Sequence, residues 1–324
     1  MKCVAVTGVA GYVGSRLTAL LDADPDVEKV VGFDVKPPAE KPGKLAFYHR
    51  DINEPLEEIL RENSVAALVH LAFAVNPLHD RAAMTRINIG GTKNVLGACR
   101  AAGVKRIVVA GSATAYGAHP DNPDFITEDQ PLRGNPDFQY AREKVEVERL
   151  CAEYAAADPD VTMCLVRPST IMGAGIENYI GRFVSRRLAF AVAGANPRMQ
   201  FIHEDDAARA FHAVLKKGVS GAYNVAGDQP LTVDEINALA GRKPIRLPHW
   251  MVYPAVNLLW LVRLSDAPAP MVHFIRYPWV VSTEKIKREL GFSFRKTTKE
   301  AFVEFVEARL RKTASSGAPG RGGT

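Results

Sequence analysis

The sequence contains little cysteine, with four residues in 324 at positions Cys3, Cys99, Cys151 and Cys164. They are far apart, without a CxxC pair and without histidine at the spacing of a zinc-ligand set. This scarcity argues against a disulfide-stabilised secreted framework and against a structural metal site. We therefore expect a protein of the reducing cytoplasm that holds no metal.

Long hydrophobic runs are missing as well. The most apolar stretch, MVYPAVNLLWLV at residues 251–262, contains Pro254 and is shorter than the roughly 20 residues that span a bilayer. The first residues, MKCVAVTG, predict a strand and lack the charged and apolar pattern of a secretion signal. We expect no membrane span and no signal peptide.

Charge of one sign is not in large excess, since the formal net charge is +5. The surplus is concentrated in residues 242–312, which hold 14 Lys and Arg against 6 Asp and Glu. No basic stripe alternates with aromatic residues, so nucleic acid is not an expected partner. The apolar stretch beside this surplus raises the question of contact with a membrane surface. We do not expect such contact, because apolar helices more often face the interior of their own protein.

The first half of the chain alternates apolar strands with helices. The predicted strands are near-continuous runs rich in Val and Ile, which is typical of parallel strands buried between two layers of helices. The predicted strands cover residues 3–8, 27–34, 44–52, 66–73, 106–112 and 161–169, and the predicted helices cover 11–23, 55–63, 80–102 and 138–156. This order predicts an α/β fold with a doubly wound parallel sheet of the Rossmann type.

Three glycines, Gly8, Gly11 and Gly14, stand between the first strand and the first helix. Glycines at a strand–helix turn let the backbone approach a pyrophosphate, which the amino end of the helix attracts. Asp34 comes 20 residues after Gly14, at the end of the second strand, where a carboxylate accepts hydrogen bonds from ribose hydroxyls. It would repel a 2′-phosphate, so the pattern favours NAD over NADP, with Lys36 nearby as the counter-argument.

Seven motifs occur in a shared order: TGVAGYVG, HRDIN, HLAF, INIGGT, GSATAYG, the YxxxK pair Tyr140 and Lys144, and RPSTIMGAG. In this order the chain resembles the extended short-chain dehydrogenase/reductases, the NAD-dependent epimerase/dehydratase group. The resemblance covers about residues 2–230 and continues weakly to about 310. It implies a bound NAD, contacted by several further residues: Tyr12, Val13, Asp51, Ile52, Leu71, Ala72, Phe73 and Pro168.

Domain organisation follows from where the strand–helix regularity ends. We assign residues 1–168 to an NAD-binding Rossmann domain, to whose sheet residues from about 198–226 contribute. Residues 169–312 are less regular and are expected to form a smaller, mostly C-terminal substrate-binding lobe. Residues 313–324, TASSGAPGRGGT, are small and polar and predict a disordered tail.

The same resemblance assigns catalytic roles to Ser112, Tyr140 and Lys144. Tyr140 exchanges a proton with the substrate hydroxyl or carbonyl, Lys144 also holds the nicotinamide ribose, and Ser112 orients the substrate. A free phenol has a pKa of about 10, and an ammonium one helical turn away would lower it. We therefore expect Lys144, together with the positive charge of an oxidised nicotinamide ring, to bring the pKa of Tyr140 towards neutral pH, where general acid–base transfer is most efficient.

Other polar residues near strand ends have structural explanations. His70 and His203 each follow an apolar run, and a hydrogen-bonded structural histidine is the favoured interpretation of both. Asn88 is expected to hold the sheet edge. Thr114 and Tyr116 stay open between a place in the substrate pocket and a local structural role.

Three hypotheses compete for the function. Nucleotide-sugar members of the family carry an arginine just before the Asp-Phe-hydrophobic-His segment to clamp the diphosphate. Here Met199 and Gln200 stand at the Arg-Asp positions, and Arg198 is one residue out of register. Because the C-terminal lobe is apolar and aromatic, we favour an NAD-dependent oxidoreductase for a secondary alcohol or ketone of a fairly apolar small molecule. The alternatives are a nucleotide-sugar epimerase or dehydratase, and a non-catalytic dinucleotide-sensing regulator.

The resemblance also bears on oligomeric state. Related proteins often dimerise through a bundle made by the Tyr/Lys helix and the helix before it. The corresponding segments here are 80–102 and 137–157. The resemblance thus suggests a homodimer through them, and the sequence leaves the oligomeric state open.

Overall fold

Runs of mostly apolar, often β-branched residues become strands in the computed structural model, which describes residues 1–184 and 189–316. The strands are β1 (Cys3–Thr7), β2 (Lys29–Asp34), β3 (Leu45–His49), β4 (Ala67–His70), β5 (Arg106–Ala110), β6 (Thr162–Pro168), β7 (Thr170–Met172), β8 (Phe190–Val192), β9 (Arg198–Met199), β10 (Phe201–His203), β11 (Gly221–Val225), β12 (Leu231–Thr232) and β13 (Ile245–Leu247). The helices are α1 (Tyr12–Ala23), α2 (Glu57–Glu62), α3 (Arg81–Thr85), α4 (Gly91–Ala102), α5 (Gln139–Ala157), α6 (Tyr179–Val184), α7 (Glu204–Lys217), α8 (Val233–Leu239), α9 (His249–Leu261), α10 (Glu284–Leu290) and α11 (Thr298–Ser316).

A parallel sheet in the order β11-β6-β5-β4-β1-β2-β3 forms the centre of the molecule. The central strands β1 and β4 are buried on both faces, which explains their mostly apolar sequences. Leu17 of α1 and Phe211 of α7 pack on one face, and Val95 of α4 and Val147 of α5 pack on the other. The predicted doubly wound Rossmann sheet is confirmed, and its register brings the carboxyl ends of the strands to one edge.

The chain after β6 builds a smaller, mostly C-terminal lobe. Three two-stranded sheets pair β7 with β10, β9 with β12 and β8 with β13. A separate core of Met172, Phe201, Phe302 and Phe305 lies within this lobe. Of the predicted contribution from about 198–226 to the large sheet, β11 is the part that joins it, whereas β9 and β10 pair within the lobe.

Two segments differ in detail from the prediction. The expected helix over 80–102 contains a π-helical turn at Arg86–Gly90, between α3 and α4. Helix α11 continues to Ser316, so residues 313–316 of the predicted disordered tail are helical, because adding residues to an already nucleated helix costs little. Residues 317–324 lie outside the described residues. Within residues 1–184 and 189–316, no helix is long and apolar enough to cross a membrane.

Candidate active site

The glycine turn after β1 has a shape that larger residues would not allow. Gly8 has a φ of +76°, and its N–H donates to the Phe33 carbonyl of β2 at 2.8 Å. A Cβ on Gly14 would lie 2.0 Å from the Gly8 carbonyl oxygen, and a Cβ on Gly8 would lie 2.9 Å from the Ala72 nitrogen. The close approach of α1 to the turn therefore requires glycine at position 14, and the positive φ and the contact with the loop after β4 require it at position 8.

Helix α1 begins directly after this turn. Gly11 is its N-cap, and Tyr12 and Val13 are its first residues. The first turn contains no acidic residue and its N-cap makes no side-chain hydrogen bond, within the described residues. The first N–H groups and the positive end of the helix dipole are therefore available to an anion.

The Asp34 carboxylate lies beside the glycine turn at the end of β2. Its Oδ2 accepts the Ala10 N–H at 3.0 Å, and its Oδ1 accepts the Lys36 N–H at 3.1 Å. An ionised carboxylate has further lone pairs with which it can accept hydrogen bonds from a ligand. The residues thus fit NAD: the glycine cradle, which a Cβ would fill, suits the pyrophosphate, and Asp34 suits the ribose hydroxyls.

The loop after β4 packs on the same turn through Thr7. The Leu71 and Ala72 N–H groups both donate to the Thr7 hydroxyl at 3.2 Å. That hydroxyl lies 2.7 Å from His70 Nδ1, and His70 Nε2 lies 3.1 Å from the Thr92 hydroxyl. Burial lowers the pKa of His70 to about 3, so the imidazole is neutral and structural, as predicted. Thr7 was not among the predicted site residues, although a hydroxyl at a buried strand end was the available signal.

Asp51, Ile52 and Pro168 occupy three different surroundings. Asp51 accepts the backbone and side-chain N–H groups of Asn53 at 2.9 Å, which forms a turn after β3. The Ile52 side chain is buried against α4, where a Cβ on Gly91 would lie 2.3 Å from Ile52 Cδ1. Only the backbone of Ile52 is therefore left for the predicted cofactor contact. Pro168 ends β6 at the same sheet edge, and all three contacts with NAD stay predictions.

The predicted catalytic residues form one cluster at the end of β5. Tyr140 lies in the first turn of α5 and is hydrogen-bonded with Ser112. Lys144, one turn further along, is buried, and its Nζ donates to the Ala110 carbonyl at 2.8 Å. The Phe73 ring contacts both, with its centroid 5.6 Å from that of Tyr140 and 3.5 Å from Lys144 Nζ. The sheet edge and α5 thus bring together four residues singled out from the sequence.

The electrostatics of this cluster differ from the expectation. Burial raises the pKa of Tyr140 to about 12, and the hydrogen bond with Ser112 opposes this only in part. Burial also lowers the pKa of Lys144 to about 7, against the attraction of Glu148. In the protein alone Lys144 does not lower the pKa of Tyr140, because Lys144 Nζ is directed to the Ala110 carbonyl and lies 5.8 Å from the Tyr140 ring centroid. The joint effect of Lys144 and an oxidised nicotinamide ring stays a prediction. A dehydrated site disfavours the charged form of both groups.

Asn88, in the π-helical turn, holds the site together without facing it. Its Oδ1 accepts the Ala74 N–H at 2.7 Å, and its Nδ2 donates to Glu143 at 2.7 Å. Glu143 also accepts the Thr85 hydroxyl at 2.6 Å. Asn88 therefore joins the loop after β4 to α5, the helix that carries Tyr140. π-helical turns frequently occur at functional sites.

Glu204 is a buried carboxylate that the sequence did not single out. It begins α7 and accepts hydrogen bonds from the Tyr12 hydroxyl, the Arg16 guanidinium and the Gly175 N–H, the last at 3.2 Å. The Tyr12 side chain is thus directed to the lobe, which leaves the backbone of Tyr12 for the predicted contact with the cofactor. An acidic residue at a helix start usually serves the helix dipole, so the sequence held no distinctive signal for this contact.

The structure shows the surroundings of His203, Tyr116 and Thr114. His203 Nδ1 accepts a backbone N–H of α7 and caps that helix, so it is structural, as predicted. Tyr116 is buried, donates to Asn224 at 2.8 Å and accepts from Arg167 at 2.6 Å. Its role is therefore local structure, whereas Thr114 lines a cavity.

This cavity opens beside the catalytic cluster and is bounded mainly by the C-terminal lobe. Thr114 shares a 2.7 Å hydrogen bond with Ser112, and the Phe138 ring centroid is 5.9 Å from that of Tyr140. The lobe contributes mostly hydrocarbon surface, from Tyr179, Ile180, Val184, Met199, Phe201, Val252, Val256, Met271, Val272, Phe274, Ile275 and Trp279. The polar or charged residues lining it include Thr170, Asn237 and Arg242. A ligand in this cavity would meet mainly apolar walls.

The model of the NAD dependent epimerase/dehydratase family matches residues 4–226, which include the glycine turn, Asp34 and the catalytic cluster. The chain belongs to this family. The resemblance to the extended short-chain dehydrogenase/reductases is thereby confirmed, and so is NAD as the cofactor, since the family is NAD-dependent.

Relatives of this epimerase/dehydratase family member match it over most of its length. An uncharacterised protein of Mycobacterium tuberculosis is 26% identical over 316 residues, or 95% of this chain and 84% of that protein. Mouse short-chain dehydrogenase/reductase family 42E member 1 is 26% identical over 357 residues, or 98% of this chain and 90% of that protein.

Solved structures share the fold at lower identity. MoeE5 in complex with UDP-glucuronic acid and NAD has a TM-score of 0.75 and 23% identity, covering 95% of this chain and 99% of that one. UDP-glucose 4-epimerase of Thermotoga maritima with UDP-glucose has a TM-score of 0.75 and 19% identity, covering 96% and 99%.

Proposed function

We propose that the protein is an NAD-dependent oxidoreductase that interconverts a secondary alcohol and a ketone on a fairly apolar small molecule. The observation that carries this proposal is the hydrocarbon wall of the cavity beside Tyr140 and Ser112. A sugar with several hydroxyl groups would lose water there and find few partners, which costs free energy for each unpaired group. A hydrophobic ring system would instead be stabilised by the same walls.

The residues at the diphosphate-clamp positions support the same substrate class. Met199 lines the cavity, and buried Gln200 accepts the Val281 N–H at 2.8 Å, so neither offers a charge. Arg198 pairs with Asp124 at 3.1 Å, and its guanidinium carbon lies 5.0 Å from the Phe125 ring centroid. Arg198, the out-of-register arginine, therefore contacts the loop that contains Asp124 and Phe125.

Each residue of the catalytic cluster has its own role in the proposed reaction. When bound, NAD would supply the hydride acceptor for oxidation of the alcohol carbon, or as NADH the hydride donor for reduction of the ketone carbon. The Tyr140 phenol exchanges the proton with the substrate oxygen, to which the Ser112 hydroxyl donates a hydrogen bond. Lys144 supplies positive charge beside Tyr140 when it is protonated and holds the ribose of the cofactor. Phe73 covers Lys144 and limits the access of water.

The test is a panel of apolar secondary alcohols and ketones, including steroids, terpenoids and aryl carbonyls, followed by NADH absorbance. Turnover of at least one alcohol with NAD, lost in Tyr140→Phe, is the expected result. Turnover of sugar nucleotides alone would overturn the proposed substrate class.

A nucleotide-sugar epimerase or dehydratase is the second candidate. Arg242 lines the same cavity from the lobe, where a guanidinium suits a diphosphate. MoeE5 and UDP-glucose 4-epimerase, whose structures contain UDP-sugars, share the fold. Calorimetric titration of the NAD-loaded protein with UDP and dTDP separates the two candidates. Micromolar binding that Arg242→Met abolishes would support this second candidate, and no binding would support the first.

The other expectations are carried forward as proposals. Ser112, Tyr140 and Lys144 form a complete cluster, which favours an enzyme over a dinucleotide-sensing regulator. The four cysteines are free and buried, which suits the reducing cytoplasm. A homodimer through α4 and α5 stays a prediction that light scattering tests.

A further inference from the structure

Helix α9 presents an almost entirely apolar side to solvent. We define the α9 face as Trp250, Met251, Leu258, Leu259, Leu261 and Leu264. Trp250 is 73% exposed, Leu261 66% and Leu264 70%, which are high values for such large hydrocarbon side chains. Within α9, Asn257 is the one polar residue on this side. Contiguous exposed surface of this kind marks an interaction site.

The opposite side of α9 is anchored to the rest of the protein. The Tyr253 hydroxyl donates to Asp137 at 2.5 Å, and the Trp260 and His79 rings stack with centroids 4.0 Å apart. Val252 is buried and lines the apolar cavity. The helix is therefore held over the cavity by its inner side while the α9 face stays outside. The core position expected from the sequence is correct for one side of this helix and wrong for the other.

The segment that carries the α9 face contains charge of one sign only. Next to it, Asp266 pairs with Arg182 at 3.5 Å, and Asp234 pairs with Arg246 of the segment. Residues 242–265 contain four basic residues, Arg242, Lys243, Arg246 and Arg263, and no Asp or Glu. Lys243 and Arg263 are exposed, before and after the helix. This charge complements an anionic surface. It opposes a two-fold contact with a second copy, because an isologous interface would bring like charges together.

We propose that the α9 face docks the protein in the plane of a membrane that contains anionic lipid. Thirteen helical residues measure about 20 Å, less than the roughly 30 Å of a bilayer's hydrocarbon core, so α9 lies along the surface. Its apolar side enters the boundary between headgroups and acyl chains while Lys243 and Arg263 meet the anionic headgroups. Because α9 also covers the cavity, an apolar ligand dissolved in the lipid would lie next to the protein's cavity. The docking itself does not depend on the activity proposed above.

The first experiment is co-sedimentation of the full chain with phosphatidylcholine vesicles, with and without phosphatidylglycerol. We expect the wild type to sediment with the anionic vesicles. The double variant Leu258→Glu/Leu261→Glu should bind at least about tenfold more weakly, because carboxylates are costly to bury in lipid. Leu310→Glu is the matched control, since Leu310 is 65% exposed on α11, outside the α9 face. A wild type that stays in the supernatant, or a double variant that sediments like the wild type, would overturn the proposal.

A second measurement distinguishes lipid from a second copy. Adding anionic vesicles should shift the tryptophan emission of the wild type to shorter wavelength, and Trp250→Phe should lose most of this shift. Light scattering after size exclusion gives the oligomeric state of the wild type and the double variant. A dimer that becomes monomeric in the double variant, together with no binding to vesicles, would show that another copy covers the α9 face and would refute membrane docking. Circular dichroism melting curves establish that each variant is folded.

Discussion

The carboxyl edge of the sheet and the cavity of the C-terminal lobe lie side by side but differ in polarity. At the sheet edge, Asp34, Thr7 and Lys144 each make short polar contacts with backbone groups. In the cavity, side chains such as Met199 and Val252 offer hydrocarbon surface. The sheet edge therefore suits a ligand with one particular arrangement of polar groups. The cavity suits a ligand of matching size and apolar surface.

This difference separates two kinds of specificity. Polar groups held by the backbone discriminate strongly, because a ligand that lacks the matching group leaves them unpaired. Hydrocarbon walls discriminate by size with smaller free energies. The glycine turn and the catalytic cluster lie in the part of the chain that the family model matches. Under the proposed function, the cavity sets the substrate range.

The largest effect is expected where the two regions meet. Tyr140→Phe removes the hydroxyl that exchanges the proton and should lower kcat by about 10³-fold, within the range of general acid–base catalysis. NAD affinity should change little, because the glycine turn and Asp34 are untouched. Tyr154→Phe, on the same helix but in the core near Val161, is the control. Steady-state kinetics with an active alcohol and calorimetry with NAD measure both effects, and substantial kcat in Tyr140→Phe would contradict the assigned role.

Gly14→Ala alters the sheet edge without touching the cavity. The new Cβ would lie 2.0 Å from the Gly8 carbonyl oxygen, so α1 must move away from the turn. Overpacking of this kind costs about 1–3 kcal/mol, and we expect NAD affinity to fall by roughly ten- to a hundredfold. Gly97→Ala in α4, where a Cβ meets nothing within 4 Å, should keep wild-type affinity. Unchanged NAD binding in Gly14→Ala would show that the turn is not the pyrophosphate site.

Asp34→Ser tests whether the sheet edge discriminates between NAD and NADP through the Asp34 carboxylate. Removing the carboxylate removes both its hydrogen bonds to the ribose hydroxyls and its repulsion of a 2′-phosphate. We expect the preference for NAD over NADP to narrow by about tenfold, or about 1.4 kcal/mol. Asp26→Ser, between α1 and β2 at the opposite edge, serves as the control. The measurement is the ratio of the affinities for NAD and NADP in the variant and in the wild type. Equal ratios would show that Asp34 does not bind the ribose.

Lys144→Met tests the dehydration of the cluster through pH dependence. Because burial lowers the pKa of Lys144 from 10.5 to about 7, the unfolded chain binds more protons than the folded chain between those values. The wild-type free energy of unfolding should therefore rise with pH relative to the variant, by up to about 1.4 kcal/mol per pH unit between pH 7 and 10. Urea denaturation at several pH values measures the difference, and parallel curves would show that Lys144 is hydrated.

The sequence predicted the glycine turn and the Tyr/Lys helix because the signals for both are local. Gly8, Gly11 and Gly14 fall within one turn, and Tyr140 and Lys144 lie one helical turn apart. The contacts that it missed join distant parts of the chain. Tyr12 and Glu204 are 192 residues apart in the sequence, so no periodic pattern relates them.

The direction of the Lys144 side chain was not predicted from the sequence for a related reason. The spacing of Tyr140 and Lys144 places them on one side of α5, but spacing does not give the direction of a side chain. Lys144 instead donates to Ala110 of β5, 34 residues away in the sequence. Burial, which depends on everything packed around α5, then decided the direction of both pKa shifts.

By itself, the sequence determined the alternation of strands and helices of an α/β fold, the glycine turn, the carboxylate after β2 and the Tyr/Lys helix, because periodicity and short motifs report on neighbours within a few residues. Only the tertiary structure decided that Arg198 turns to Asp124, that Met199 lines the cavity, and that one apolar side of α9 stays outside. The physical reason is that the hydrophobicity of a segment shows only that its side chains are more stable out of water. Which side chains are buried, and against which neighbours, depends on how the elements pack.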